Sequence, residues 1–189
     1  MPTISFDPFP TLSTQRLTLR QPRTEDAADL FLLRSDPEVM RFIPRPLATS
    51  VGDVEALLEM INDFTRKGER INWAMEWKET GEVIGLLGYV DIKAEHYRAE
   101  VGYSLARAWH RKGIMREALQ EVVRYGFEGM NMHSIEAVLD AENVPSARLL
   151  EDAGFRQEAH FREDFLWQGV FRNSLHYGLL RSEWIPAHS

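Results

Sequence analysis

The spacing of hydrophobic and polar residues changes along the chain in a way that separates strands from helices. Residues 16–20, Arg-Leu-Thr-Leu-Arg, alternate as a half-buried strand does. Thr24 is placed to cap a helix whose first turn holds Glu25 and Asp26, with Ala27, Leu30 and Phe31 on one face and Pro37 near its end. Pro44 and Pro46 make residues 42–48 a loop. Ser50 caps a second helix, in which Val54, Leu57, Leu58, Ile61 and Phe64 recur at helical spacing until Gly68.

Residues 72–78 then alternate, Thr80-Gly81 turns the chain, and residues 83–92 form a nearly continuous apolar run. Such a run suits a strand covered on both faces. Residues 99–106 are a further strand. A helix over 113–129 follows, with Met115, Ala118, Val122 and Tyr125 on one side. Residues 134–140 alternate again, Asn143 opens a short helix that Gly154 closes, and two long strands meet at Gln168-Gly169. The order β-α-α-β-β-β-α-β-α-β-β mixes hairpin-like neighbours with strands joined through a helix. It predicts a single α/β (mixed α+β) domain, a mixed sheet with helices on its faces.

Length agrees, since 189 residues suit one domain of roughly 100–200. No apolar run reaches the roughly 20 residues of a membrane-spanning helix, and the first ten residues lack the pattern of a secretory signal. The absence of cysteine removes disulfides, thiolate catalysis and cysteine-based zinc sites, and is compatible with the cytoplasm. The six histidines are scattered without a ligand spacing, so no metal site is read. A net charge of −7 argues against nucleic acid as a partner and leaves two readings, solubility or attraction for a cationic substrate.

Chemistry concentrates in residues 98–118. A strand runs into the basic turn His110-Arg111-Lys112-Gly113, and a helix begins at once. A helix N-terminus leaves amides unpaired and carries about half a positive charge. Gly113 lets the backbone approach a ligand, and Arg111, Lys112 and Arg116 add charge, so the segment suits a phosphate or pyrophosphate. It is neither a Walker A loop nor a dinucleotide-binding fingerprint. One helix and one strand later comes Asn143-Val-Pro-Ser146, running to Gly154-Phe155.

With these motifs in this order, the chain resembles the GNAT superfamily of acyl-CoA-dependent N-acetyltransferases, and within it the ribosomal-protein N-terminal acetyltransferases (RimJ/RimL-like). Residues 14–20, Thr-Gln-Arg-Leu-Thr-Leu-Arg, the strand 99–103, Glu117-Ala118, the Gly169 turn and residues 177–180 also fit. The likeness spans about residues 14–184, leaving 1–13 as an irregular arm and 185–189 as a tail.

The resemblance implies a central, mostly antiparallel, splayed sheet of about seven strands with about four helices. It implies acetyl-CoA as cofactor, with its pantetheine arm along the backbone of Ser104, Leu105 and Ala106. The pyrophosphate would lie on the turn of His110, Arg111, Lys112, Gly113, Ile114, Met115 and Arg116, and Asn143 would bond the arm. His110 and Met115 depart from the family's usual residues there. Leu150 stands where many relatives carry a tyrosine acid, which moves the general acid to Ser146. Glu100 is the expected general base, with Glu76, Asp91 and Tyr103 in reserve. Trp73, Trp77 and Trp109 are expected in the core or a pocket wall. The implied reaction is acetyl transfer from the thioester directly to a primary amine, without a covalent enzyme intermediate. The acceptor is a protein N-terminal α-amine or a small amine such as a polyamine or aminoglycoside, and the chain a monomer or homodimer. A silent acyl-CoA binder is the reading from another class.

Overall fold

The computed structural model describes residues 4–186. Residues 1–3 of the expected arm and 187–189 of the expected tail lie outside the described residues. The elements are β1 (Leu12–Ser13), β2 (Leu17–Arg20), α1 (Ala27–Arg34), α2 (Pro37–Met40), α3 (Val51–Arg66), β3 (Ile71–Trp77), β4 (Val83–Lys93), β5 (Arg98–Leu105), α4 (Ile114–Glu128), β6 (Ser134–Asp140), α5 (Val144–Asp152), β7 (Arg156–Trp167) and β8 (Val170–Leu180). One sheet holds all the strands in the order β1-β2-β3-β4-β5-β6-β8-β7. Every neighbouring pair is antiparallel except β5 and β6. The mixed single-domain fold is therefore as read, with one more strand and one more helix.

Both additions are short. β1 pairs Leu12 with Leu19 at the sheet edge. α2 starts at Pro37 in its first turn, and the Asp36 side chain accepts the Glu38 amide, a favourable start for a helix. At α1 the expected cap also shifts. Residues 24–26 form a 3₁₀ turn, and the Asp26 carboxylate, not Thr24, accepts the Arg23 amide at 2.7 Å. Asp26 also takes the Arg20 guanidinium, which its second partner Glu76 and this carboxylate hold firmly protonated.

Two apolar layers cover the sheet. Ile114, Ala118, Leu119 and Val122 of α4, with Leu150 of α5, pack against Leu19, Trp73, Leu87 and Val101. On the other face Leu30, Val54, Leu58 and Ile61 of α1 and α3 meet Ala74, Val83 and Leu86. β4 contributes to both layers, hence its continuous apolar run.

The placement of α4 decides where the basic turn lies. Tyr89 of β4 is fully buried, and its hydroxyl donates to the Val122 carbonyl at 2.8 Å. Gly126 makes room for that ring, because a Cβ there would come within 2.0 Å of the hydroxyl oxygen. The helix is thus pinned to the middle of the sheet. No helix among the described residues is long and apolar enough to cross a membrane.

Candidate active site

β5 and β6 pair in parallel through only three positions, Arg98–Ser134, Ala99–Ile135 and Glu100–Glu136. Beyond Glu100 the two strands diverge. β5 remains paired with β4 as far as Gly85–Leu105. The Ala106 amide donates to the Ile84 carbonyl at 2.8 Å, so residues 102, 104 and 106 direct their backbone groups toward β4. By the same alternation Tyr103 and Leu105 direct theirs into the opening. Of the expected backbone at Ser104, Leu105 and Ala106, Leu105 faces the opening, with Tyr103 beside it.

At the end of β5 the chain turns into α4. Arg111 and Gly113 both have positive φ, 59° and 73°, and Gly113 begins the helix without a side-chain cap. The amides of residues 111–116 find no acceptor among the described residues. A Cβ on Gly113 would meet nothing nearer than Arg16 Nη2 at 3.7 Å, so space lies before these amides. This is a nest of donors of the kind that holds phosphate oxygens.

The residues of the turn divide by what they touch. Arg111 and Lys112 are exposed, and Lys112 Nζ lies 5.0 Å from the centre of the Trp109 ring. Ile114 is buried and Met115 packs against the core, which keeps the methionine out of the cradle. The His110 ring turns back, with Nε2 2.9 Å from the Leu105 carbonyl oxygen. Arg116 reaches Asp152 of α5 at 3.9 Å.

The turn has a brace that the sequence reading did not include. Arg16 donates from Nη1 to the Lys112 carbonyl at 3.0 Å and from Nε to Glu117 Oε2 at 2.7 Å. Glu117 Oε1 accepts the Arg16 amide at 2.8 Å and the Thr14 hydroxyl. Burial opposes ionisation of Glu117, but these donors outweigh it and hold the carboxyl below its ordinary range. Arg16 also lies over Trp77, whose ring centre is 4.7 Å from that of Trp109. Trp73 belongs to the core, where its indole N–H donates to the Pro10 carbonyl at 2.7 Å.

Across the opening stands the first turn of α5. The Asn143 side chain caps it, accepting the Ser146 amide at 3.3 Å. The Ser146 hydroxyl lies 2.6 Å from the Tyr103 hydroxyl. Burial pushes the Tyr103 phenol up to about 12, against the opposing pull of Ser146. That removes Tyr103 as a base at neutral pH and suits it to donate. Leu150 is fully buried and offers no proton.

Glu100 sits where the strands part, with Asp91 opposite on β4 and Glu136 opposite on β6. Burial, then the charges of Glu136 and Asp91, raise its carboxyl above the ordinary range, while Lys93 and Arg70 act the other way. Among the reserve carboxylates, Glu76 is bonded to Arg20 and Asp91 lies 3.5 Å from Lys93. Glu136 is held low by Arg98 and Lys93. Among the described residues Glu100 has no ion-pair partner, whereas each of these three carboxylates has one.

The model of the Acetyltransferase (GNAT) domain matches residues 16–156. This chain belongs to the GNAT acetyltransferase family. It is 38% identical over 174 residues to the uncharacterized N-acetyltransferase p20 of Bacillus licheniformis, covering 92% of this chain and 98% of that one. It is 29% identical over 133 residues to the [ribosomal protein uS5]-alanine N-acetyltransferase of Escherichia coli strain K12, covering 70% and 69%. The solved structure of spermidine N-acetyltransferase from Vibrio cholerae, in complex with CoA and spermine, superposes with a TM-score of 0.78 at 24% identity. That match covers 89% of this chain and 97% of that one. The family match and the curated relatives bear out the GNAT assignment, its RimJ/RimL-like branch and the enzyme class, N-acetyltransferase with acetyl-CoA as donor, and the superposition bears out the fold.

Proposed function

We propose that this acetyltransferase works in the opening between β5 and β6, delivering an acetyl group to the amine of a protein or peptide N-terminus. One observation carries the placement: after Glu100 the sheet loses its pairing and leads straight into the open amides before α4. The unpaired groups of Tyr103 and the Leu105 N–H suit an extended arm laid alongside β5, whereas the Leu105 carbonyl already meets the His110 ring. The amides of residues 111–116 suit its diphosphate, and the free Asn143 carboxamide N–H bonds suit its amide carbonyls. The acceptor class rests on the similarity to the uS5-alanine N-acetyltransferase.

Acetyl-CoA supplies the acetyl group on a thioester. Glu100 takes the proton that the ammonium must lose before its nitrogen attacks, directly or through water. The Leu105 N–H faces the place where the oxyanion develops. Ser146, bonded to Tyr103, returns a proton to the departing sulfur. No enzyme nucleophile is needed.

Thiol release from acetyl-CoA, assayed against a panel of peptides and small amines, tests this reading. Release that depends on a peptide with a free N-terminus is expected. Tight CoA binding with no release on any amine would turn the chain into a silent binder.

A further inference from the structure

On the face opposite α4, a cleft of about 240 Å³ ends on Gly102 and Ser104 of β5, which follow the proposed base Glu100 at alternate positions on its face of the strand. Its floor is apolar, with Phe64 and other side chains of α3. Its walls carry Arg34, Arg45 and Arg70. These arginines come from three separate segments: the end of α1, the loop before α3, and the residue preceding β3.

The chain has 29 acidic residues against 22 basic ones, yet none of the described carboxylates forms an ion pair with these three arginines. Arg34 is half-buried, and its side chain has one polar contact, Nη1 to the Met40 sulfur at 3.2 Å. Burial and the nearby Arg45 charge both lower its affinity for a proton. Arg70 lies over the Phe64 ring at 4.4 Å. Like charges held together beside an apolar surface are unfavourable unless an anion joins them.

We propose that the acceptor carries a carboxylate near its reacting amine and that Arg34, Arg45 and Arg70 bind that carboxylate. This rests on the acetyl-transfer reading above and narrows it. The acceptor then meets complementary charge at both ends, a carboxylate at Glu100 for its ammonium and guanidiniums for its acid. A peptide with Asp or Glu just after the first residue fits, as does a small amino acid. A polyamine would place a second cation among the arginines and be disfavoured. The local charge of the cleft is thus opposite to the net charge of the chain.

The test compares the peptides Ala-Asp-Glu-Gly, Ala-Asn-Gln-Gly and Ala-Lys-Lys-Gly, with free glutamate and spermidine, at saturating acetyl-CoA. A kcat/KM for the acidic peptide about tenfold or more above the neutral one is expected, carried mainly by KM. Glutamate against the acidic peptide separates a small acid from a peptide. Arg45 is exposed, so Arg45→Gln should keep the fold and flatten the preference, and Arg45→Glu should turn it toward the lysine peptide. A misfolded variant cannot produce that inversion. Calorimetric binding of the acidic peptide to the CoA-saturated protein gives a second readout without turnover. Binding that needs the arginines but yields no acetyl transfer would keep the carboxylate site and overturn the acetyl-transfer reading on which its ligand counts as an acceptor. Preferred turnover of the lysine peptide would overturn this proposal alone, and preferred turnover of spermidine would overturn the N-terminal acceptor with it. No binding of any acid, together with no turnover of any amine, would overturn both.

Discussion

The Tyr103 hydroxyl lies 2.6 Å from the Ser146 hydroxyl, tying the diverging end of β5 to the first turn of α5. The contact spans the opening where β5 and β6 part. It joins a phenol that burial keeps protonated to the serine proposed to serve the leaving sulfur. Ser146→Ala and Tyr103→Phe should each lower kcat by about a hundredfold, at the lower end of the range for general acid catalysis. Their effects should not add, because both remove one hydrogen bond. Steady-state kinetics of the two single variants and the double variant checks this.

Glu100 gives a pH prediction whose sign follows from its raised carboxyl. At saturating acceptor, kcat should rise through an ionisation above the ordinary carboxylate range, and Glu100→Gln should abolish that limb with a loss of about a hundredfold or more. Stability should move the other way. A carboxyl raised by folding favours the native state only while protonated. Its contribution falls as pH climbs from the unfolded value through the folded one. Glu100→Gln should therefore melt higher than wild type at neutral pH, and the two should converge in acid.

The brace under the phosphate turn predicts a cofactor-specific defect. Arg16→Ala frees the Lys112 carbonyl and leaves Glu117 with fewer donors. The Kd for CoA should rise about tenfold, because the charge-assisted bond that holds the turn itself is lost along with the one to Glu117, and KM for the acceptor should hold. Arg16→Lys should rescue only in part, since one ammonium cannot reproduce the guanidinium fork. The Glu117 carboxyl is held low, so its stabilisation is present above the ordinary carboxylate range and lost as pH falls through its folded value.

Gly113 needs its φ of 73° more than it needs space, because a Cβ there makes only an ordinary contact with Arg16. Gly113→Ala should cost about 1–2 kcal/mol in the folded turn and weaken CoA binding in a protein that still folds. Gly113→Val should be worse on both counts. Asn143→Ala should likewise weaken CoA binding while removing the α5 cap, at about 1 kcal/mol of stability. Thermal melts beside calorimetric CoA titrations separate the two losses.

Local signals carried most of the fold. Residues 134–140 read as a strand and form one with the same limits, because Ile135, Ala137 and Leu139 alternate onto a covered face. The apolar run at 83–92 read as a doubly covered strand, and Val83 and Ile84 do enter opposite layers. Asn143 and Ser50 cap the helices they precede. Asp36-Pro37 held a start signal for a helix too short to show any period. Thr24 does not cap because residues 24–26 form a 3₁₀ turn that takes it inside and leaves Arg23 at the cap position.

What the pattern could not reveal was contact between distant segments. Glu117 reads as a first-turn acid of α4, yet its partner Arg16 lies about a hundred residues earlier. Ser146 was legible from its motif, whereas its bond to Tyr103 depends on how two strands diverge. Arg34, Arg45 and Arg70 share no spacing and meet only after α1, α3 and β3 have folded.

The account stands on the main chain from Leu105 to Glu117 serving as the cradle for CoA. The most direct measurement is a titration of the protein with CoA, followed by amide resonances. Saturable shifts concentrated at residues 101–105, 111–116 and 143–146, and lost in Gly113→Val, are the predicted result. Shifts confined to other parts of the sheet, or saturation that leaves the amides of 111–116 unmoved, would contradict it.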